Sequence, residues 1–260
     1  MAANSPQTNS IMRVKAFKGK IIAVISAFVL WQVTAMLLSH FLLPTPIAVA
    51  ARIFDILKTP DTYSRLLFTF LNLSGGFFLG LLAGAALAVP AARYKFFEDM
   101  LWPFMLTAKS VPVVSFIILA YLYLSAREIP VIIAFLMVLP LTYNNILAGI
   151  KNSDPLLLQM ADVFKLSWKR RFLYITLPQI KPYLLSASKS GIGLAFKSGV
   201  AAEVITLAAG SIGEMLYRGK LFLETDLLFG WTILLLIICY GFEWLFTALI
   251  AKIFKETEKL

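Results

Sequence analysis

Charge is scarce in this chain. Only 15% of its 260 residues are charged, 60% are hydrophobic and the mean hydropathy is +0.82. A soluble domain does not sustain that balance, because so much apolar surface needs lipid to face. Cysteine occurs once, as Cys239 inside an apolar run, which excludes a disulfide framework and leaves the thiol as a small buried hydrophobe. Histidine also occurs once, as His40, so a two-histidine metal centre within the chain is excluded. Gly-x-Ser-x-Gly, His-Glu-x-x-His and the phosphate-cradling Gly-x-x-x-x-Gly-Lys are all missing. The chain is therefore expected to be no enzyme and to hold no cofactor of its own. Acidic residues number 14 against 24 Lys and Arg, a net charge of +10. In a membrane protein this excess reads as retention of basic residues on the cytoplasmic side rather than as nucleic-acid binding.

What is present is apolar sequence in long runs. At roughly 20 residues per bilayer-spanning helix, the length accommodates six spans. The expected class is all-α: a polytopic membrane protein of six transmembrane helices with a cytoplasmic insert. Residues 1–20 read as a cytoplasmic N-terminal segment, 21–252 as the membrane domain and 253–260 as a cytoplasmic tail. The first span enters at Ile21 and is followed by no small-residue cleavage pattern, so no cleavable signal is expected. It stops at Leu43-Pro-Thr-Pro46, after which residues 47–57 alternate as an interfacial amphipathic helix does. The second span covers about residues 66–92, where Gly76, Gly80, Gly84 and Ala88 recur every fourth position, a stripe of small residues that admits a neighbouring helix closely. A third span, about 100–124, contains Pro103 and Pro112 and is expected in the bundle interior, where other helices cover the freed backbone. The remaining spans are expected near 131–150, 184–208 and 227–250, with a glycine-containing outer loop holding Arg218 and Lys220. This topology places fifteen Lys and Arg inside and six outside, which orients both termini to the cytoplasm.

Between the fourth and fifth spans lies a polar, basic insert, residues 154–181. Asp154-Pro155 is an N-cap and first-turn pair, and a second short helix is expected from Trp168 to about Thr176, ending at Leu177-Pro178. Exposed apolar residues such as Met160, Val163 and Phe164 beside charged ones suit docking to a soluble partner; resting on lipid headgroups through Lys169, Arg170 and Arg171 is the alternative. Gln159-Met160-Ala161, Lys165 and Ile175-Thr-Leu-Pro178 resemble the cytoplasmic loop signature of the permease subunits of ATP-binding cassette importers. In that signature Glu-Ala-Ala is followed by Gly after three residues and, nine residues further, by Ile-x-Leu-Pro. Leu42-Leu-Pro-Thr-Pro46, Lys109-Ser-Val-Pro112 and Ala202-Glu203-Val204 are similar to further motifs of the family, in the family's order over roughly residues 28–252. The likeness is to the branch that imports nitrate, sulfonates, taurine, bicarbonate or thiamine-pathway pyrimidines.

The resemblance implies a homodimer in a prokaryotic cell membrane, with two cytoplasmic ATPase subunits that bind ATP and Mg, and an extracytoplasmic binding protein that delivers the solute. It assigns ATPase coupling to Gln159, Met160, Ala161, Asp162, Phe164, Lys165, Leu177 and Pro178. Gln159 and Lys165 depart from the signature's Glu and Gly, so the bend at 165 falls to a residue with a Cβ.

Ionisable residues at membrane depth are costly unless paired or hydrated. Ser186, Lys189, Ser190, Gly193 and Lys197 sit at offsets of 0, 3, 4, 7 and 11, one stripe of a helix. Lys197 lies on the order of 20 Å from the cytoplasmic end of its span. With Lys109, Lys189, Ser190 and Glu203 it is a candidate for the wall of a pathway for a small, anionic solute. An ion-coupled secondary transporter using Lys197, Glu203 and Glu243, and a membrane scaffold without transport, are the rival readings.

Overall fold

The computed structural model describes residues 6–38 and 42–257; His40 and Lys259 lie outside them, as do the side chains of Arg13, Lys15, Lys18, Lys20 and Lys255. Among the described residues the chain is helical throughout: α1 (Pro6–Leu37), α2 (Pro46–Lys58), α3 (Asp61–Arg93), α4 (Lys95–Ser110), α5 (Val113–Tyr121), α6 (Ile129–Lys151), α7 (Pro155–Val163), α8 (Trp168–Arg171), α9 (Leu177–Thr206), α10 (Ile212–Leu221) and α11 (Thr225–Thr257), with a π-helical turn at Phe172–Thr176 between α8 and α9.

Three helices, α3, α6 and α11, are each long and apolar enough to cross a bilayer, and α4 with α5 makes a fourth candidate bent by 98°. Two of the six expected spans fall short by this measure for visible reasons. The apolar part of α1 within the described residues is Ile22–Leu37, and α9, although 30 residues long, carries Lys181, Lys189, Lys197 and Glu203.

The core is α6 with α3 and α9 packed along it. The small-residue stripe makes this possible. A Cβ added at Gly76 would meet the Val131 carbonyl at 2.5 Å, one at Gly80 the Val138 Cβ at 2.7 Å, and one at Gly84 the Leu139 carbonyl at 2.7 Å. Backbone cannot give way to a side chain, so α3 and α6 touch along three turns only because these positions are bare. Gly84→Val is expected to cost about 3 kcal/mol, the upper end of overpacking penalties, read as loss of the monodisperse peak and a lower melting temperature in detergent. On the other side of α3, Phe77 packs edge-on to Phe242 and Phe246 at 5.8 and 5.3 Å between centroids, fastening α11 to the bundle.

Polar contacts gather at two ends of the bundle. At one end Arg52 pairs with Glu224 at 2.6 Å, Arg65 with Asp61 and Glu214, and Thr206 Oγ1 donates to the Ala126 carbonyl. At the other, Lys151 pairs with Glu98 at 2.7 Å, Lys181 lies over the Phe254 ring, and the 154–181 insert closes the molecule.

Two expectations are corrected and a third is filled in. The third span is not one interior helix: Val111, the residue before Pro112, takes the extended conformation that the proline ring imposes, and the chain turns there. Met105 alone is buried on α4 and Ile117 alone on α5, so both lie on the surface of the single chain. The second helix of the insert does not stop at Leu177-Pro178. The Leu177 N–H reaches back five residues to the Phe172 carbonyl, and this widened π turn accommodates Pro178, which has no N–H to offer, so the helix runs on into α9. The connection holding Arg218 and Lys220 contains α10, whose start resembles a capping box: Ser211 accepts from the Glu214 N–H at 3.0 Å and the Glu214 carboxylate accepts from the Gly210 N–H at 2.8 Å. Glu243 on α11 is half-buried and makes no ion pair among the described residues.

Candidate coupling insert and membrane-depth polar face

The insert is a closed unit. Asp154 caps α7, its carboxylate accepting from the Leu156 N–H at 2.8 Å, and its own N–H donates to Gln179 Oε1 on α9 at 2.7 Å. Across the hairpin, Arg171 Nη1 donates to Asp162 Oδ1 at 2.6 Å. The first helix ends in a left-handed turn at Lys165, φ 49°: the Lys165 N–H donates to the Asp162 carbonyl at 3.1 Å and the Leu166 N–H to the Ala161 carbonyl at 3.0 Å. This is the double closure that usually ends on glycine. Lys165 thus makes the bend in spite of its Cβ. Lys165→Gly is expected to relieve up to about 1 kcal/mol of left-handed strain and to slow hydrogen exchange at the Leu166 amide.

Leu156, Met160, Val163 and Phe164, at offsets of 0, 4, 7 and 8, form an exposed apolar face on α7; Val163 is 78% and Phe164 70% exposed. Gln159, Asp162 and Lys165 are exposed beside it. Ala161 is on the opposite side, 1% exposed, and Leu177 and Pro178 are half-buried where the π turn meets α9. Ala161 is therefore packed under the helix rather than offered to a partner, and a carboxylate there would unfold the insert itself.

Along α9, Ser186, Lys189, Ser190, Gly193 and Lys197 are all exposed, whereas Ala187, Ser188, Gly191, Ile192, Ala195, Phe196 and Gly199 are buried. The buried serines are satisfied within the helix: Ser188 Oγ donates to the Leu184 carbonyl and Ser198 Oγ to the Leu194 carbonyl, each at 2.7 Å. Lys109, Lys189 and Lys197 make no ion pair among the described residues.

Glu203 stands apart from this face. It is fully buried; its Oε2 accepts from Thr69 Oγ1 at 3.1 Å and from the Gly213 N–H at 3.0 Å, while Thr69 Oγ1 accepts from the Ile212 N–H at 3.0 Å. The carboxylate thus sits on the N-terminus of α10, where a helix favours negative charge, and ties α3, α9 and α10 together inside one chain. Ala-Glu-Val at 202–204 marked the residue, but its partners on α3 and α10 were not visible from spacing. Exchanging Lys197 with Glu203 would set a cation against the α10 N-terminus and is expected to unfold the knot rather than restore a pair.

Glu214, outside the spans, is pulled two ways. Burial raises its pKa, but the Gly210 N–H and the Arg65 guanidinium outweigh it and hold the carboxyl below the ordinary glutamate range. A carboxylate depressed in the folded state contributes stability above its unfolded pKa and loses it as pH falls through the folded value, so α10 is expected to stay docked through the ordinary glutamate range and to loosen only in stronger acid, read by hydrogen exchange at Gly213 and Glu214.

Lys109 opens onto a cavity of about 110 Å³ between α4 and α6, lined by Glu98, Trp102, Met105, Leu106, Lys109, Tyr143, Asn144 and Leu147. The α6 contribution is Tyr143, Asn144 and Leu147, the first two within a run of hydrogen-bonding residues, Thr142-Tyr-Asn-Asn145, in an apolar helix. That run is legible in the sequence, although none of its members is charged.

A helical bundle in which three helices, and a fourth bent pair, are long and apolar enough to cross a bilayer is that of a multi-pass membrane protein. The model of the binding-protein-dependent transport system inner membrane component family matches residues 76–255, and the chain belongs to that family. A Bacillus subtilis (strain 168) protein described as an aliphatic sulfonates transport permease is 26% identical over 213 residues, 80% of this chain and 76% of the relative. The riboflavin transport system permease protein of Chloroflexus aurantiacus is 25% identical over 230 residues, 86% and 85% of the two chains. Among solved structures, an amino acid ABC transporter crystallised with histidines superposes with a TM-score of 0.59 at 17% identity, covering 80% of this chain and 98% of that one. That last likeness concerns the fold.

Proposed function

We propose that this chain is the permease subunit of an importer, and that two copies enclose a pathway for a small anionic solute. Six membrane crossings are reached when α1, α9 and the bent pair of α4 and α5 each count as one, with α9 shielded from lipid by the second copy. The observation that carries this reading is the α9 face: two lysines, two serines and a glycine, exposed on the single chain and without ion pairs among the described residues. A lipid-facing lysine at the bilayer centre costs about 3 kcal/mol on insertion scales, so this face turns to water or protein.

The apolar face of α7 is the docking surface for a cytoplasmic ATPase, which holds the ATP and Mg; one ATPase serves each copy, and a binding protein brings the solute to the opposite end. The solute is sulfonate-like or carboxylate-like in charge, in keeping with the sulfonate permease among the relatives and with the lysines of the pathway. Orientation follows from the distribution of basic residues: both termini and the insert are cytoplasmic, and α2 and α10 are outside. Ser211 is buried as a helix cap, so the accessible probe is Lys220. In a Cys239→Ser background, Lys220→Cys is expected to react with a membrane-impermeant maleimide in intact cells and Ser167→Cys to be spared; the reverse pattern would overturn the orientation.

A further inference from the structure

The helix α4 is mounted as a rod. The chain enters it through one extended residue, Tyr94 (φ −123°, ψ 113°), and leaves it through two, Val111 and Pro112 (ψ 132° and 133°). Met105 is its one buried side chain, packed in a cluster with Ala88, Ala91, Tyr143, Ile146 and Leu147. Beside that contact the cavity of about 110 Å³ separates α4 from α6, and a void forfeits the contacts that would seat the rod more firmly. The second attachment is ionic and lies near the start of the rod. Both oxygens of the Glu98 carboxylate accept from Lys151 Nζ at 2.7 Å, whereas Lys95, 3.4 Å from Glu98, has a closer partner in Asp99 at 3.0 Å. Lys151 is the last residue of α6. From there to the insert the chain has no slack: Asn152 Nδ2 donates to the Tyr183 hydroxyl at 3.2 Å, Ser153 Oγ to the Gly149 carbonyl at 3.3 Å, and the N–H of Asp154, the cap of α7, to Gln179 Oε1 at 2.7 Å. At the far end of the rod Lys109 lies eleven residues from Glu98, about 16 Å at 1.5 Å per residue.

We propose that Glu98 and Lys151 are the positioning pair by which α4 follows the insert: a displacement of α7 by the docked ATPase reaches the rod through Lys151 and turns its Lys109 end about Met105. The inference rests on the permease reading and deepens it, naming the connection between the coupling insert and one wall of the pathway. An element hinged at both ends and seated by a single side chain has more than one position within reach, and an ion pair made in one of them biases the choice. The pair spans two helices and ends three residues before the α7 cap. Lys95 and Asp99, both on α4 itself, transmit nothing between helices.

The test follows the far end of the rod in the intact permease and ATPase complex in nanodiscs. In a Cys239→Ser background, the rate at which a maleimide modifies Lys109→Cys is measured with and without MgATP and vanadate. With Glu98 and Lys151 in place the two rates are expected to differ about fivefold, the population shift that one half-exposed ion pair supports, and in Glu98→Gln or Lys151→Gln by less than about twofold. The double variant is expected to be no worse than either single one, because both remove the same interaction. Lys151→Arg, which keeps the charge, and Asp99→Asn, which leaves the pair intact, are expected to retain the response. Copurification with the ATPase is expected to be unchanged throughout, since the α7 face is untouched. Loss of copurification in Glu98→Gln would mark the pair as part of the fold of the insert and overturn its role. An undiminished response in Glu98→Gln, or single effects that multiply in the double variant, would overturn it too. If the unaltered pair gives no response to MgATP while solute accumulation still requires MgATP, the rod fails and the permease reading stands; if accumulation is also indifferent to MgATP, both fail.

Discussion

Phe164→Asp is expected to abolish association with the ATPase while leaving the permease folded and in the membrane. The ring is 70% exposed at the tip of α7, continuous with Leu156, Met160 and Val163, and it makes no contact that the insert needs for its own closure. That closure rests instead on Asp154, Asp162, Arg171 and the backbone bonds around Lys165. An aromatic anchor at the centre of a docked face contributes about 2 kcal/mol or more, roughly thirtyfold in affinity, and a carboxylate in its place adds a desolvation penalty. Copurification with the nucleotide-binding chain is the readout, with size-exclusion behaviour as the control for folding. Ala161→Asp would not serve, because that side chain is buried beneath α7 and its loss would be read as misfolding. Normal copurification of Phe164→Asp would move the docking surface elsewhere.

Lys197→Met is expected to lower transport by roughly tenfold or more, with ATPase docking and abundance unchanged. The lysine lies on the exposed side of α9 with Ser186, Lys189, Ser190 and Gly193, far along the helix from the insert. A cation in a water-filled, low-dielectric passage raises the local concentration of an anion, and rate effects of this origin run from about tenfold upward. Lys197→Glu is expected to be worse than Met, since it repels the same solute. Arg at this position is expected to retain most of the activity. Uptake of a radiolabelled sulfonate into proteoliposomes measures all three, and full activity in Lys197→Met would remove the residue from the pathway.

The helical class was legible in hydropathy alone, and a close helix contact on α3 in the spacing of Gly76, Gly80 and Gly84, because both are properties of a single helix face; that the neighbour is α6 was not. The insert's first helix was legible for the same local reason: Asp154 followed by Pro155 is a favoured N-cap and first-turn pair, and it starts α7. What escaped depended on partners distant in sequence. Pro103 and Pro112 look alike in the chain, yet Pro103 stays inside α4 and Pro112 turns it, a choice settled by where α5 packs on α6 and α9. Glu203 was legible as a buried-charge candidate, but its partners, Thr69 and the start of α10, lie 134 residues before it and 10 after it. The capping box at Ser211 and Glu214 was present in the sequence but overshadowed by Arg218 and Lys220, which read as loop charges.

The central claim, that this chain forms a pathway driven through α7 by ATP hydrolysed on another subunit, is tested most directly by solute accumulation in proteoliposomes holding the chain with its ATPase. The binding protein is added to the face carrying α2 and α10, and MgATP to the face carrying α7. Accumulation is expected only when MgATP is present on the α7 face, and it is expected to vanish in Phe164→Asp. Accumulation driven by a proton or sodium gradient without ATP would contradict the account.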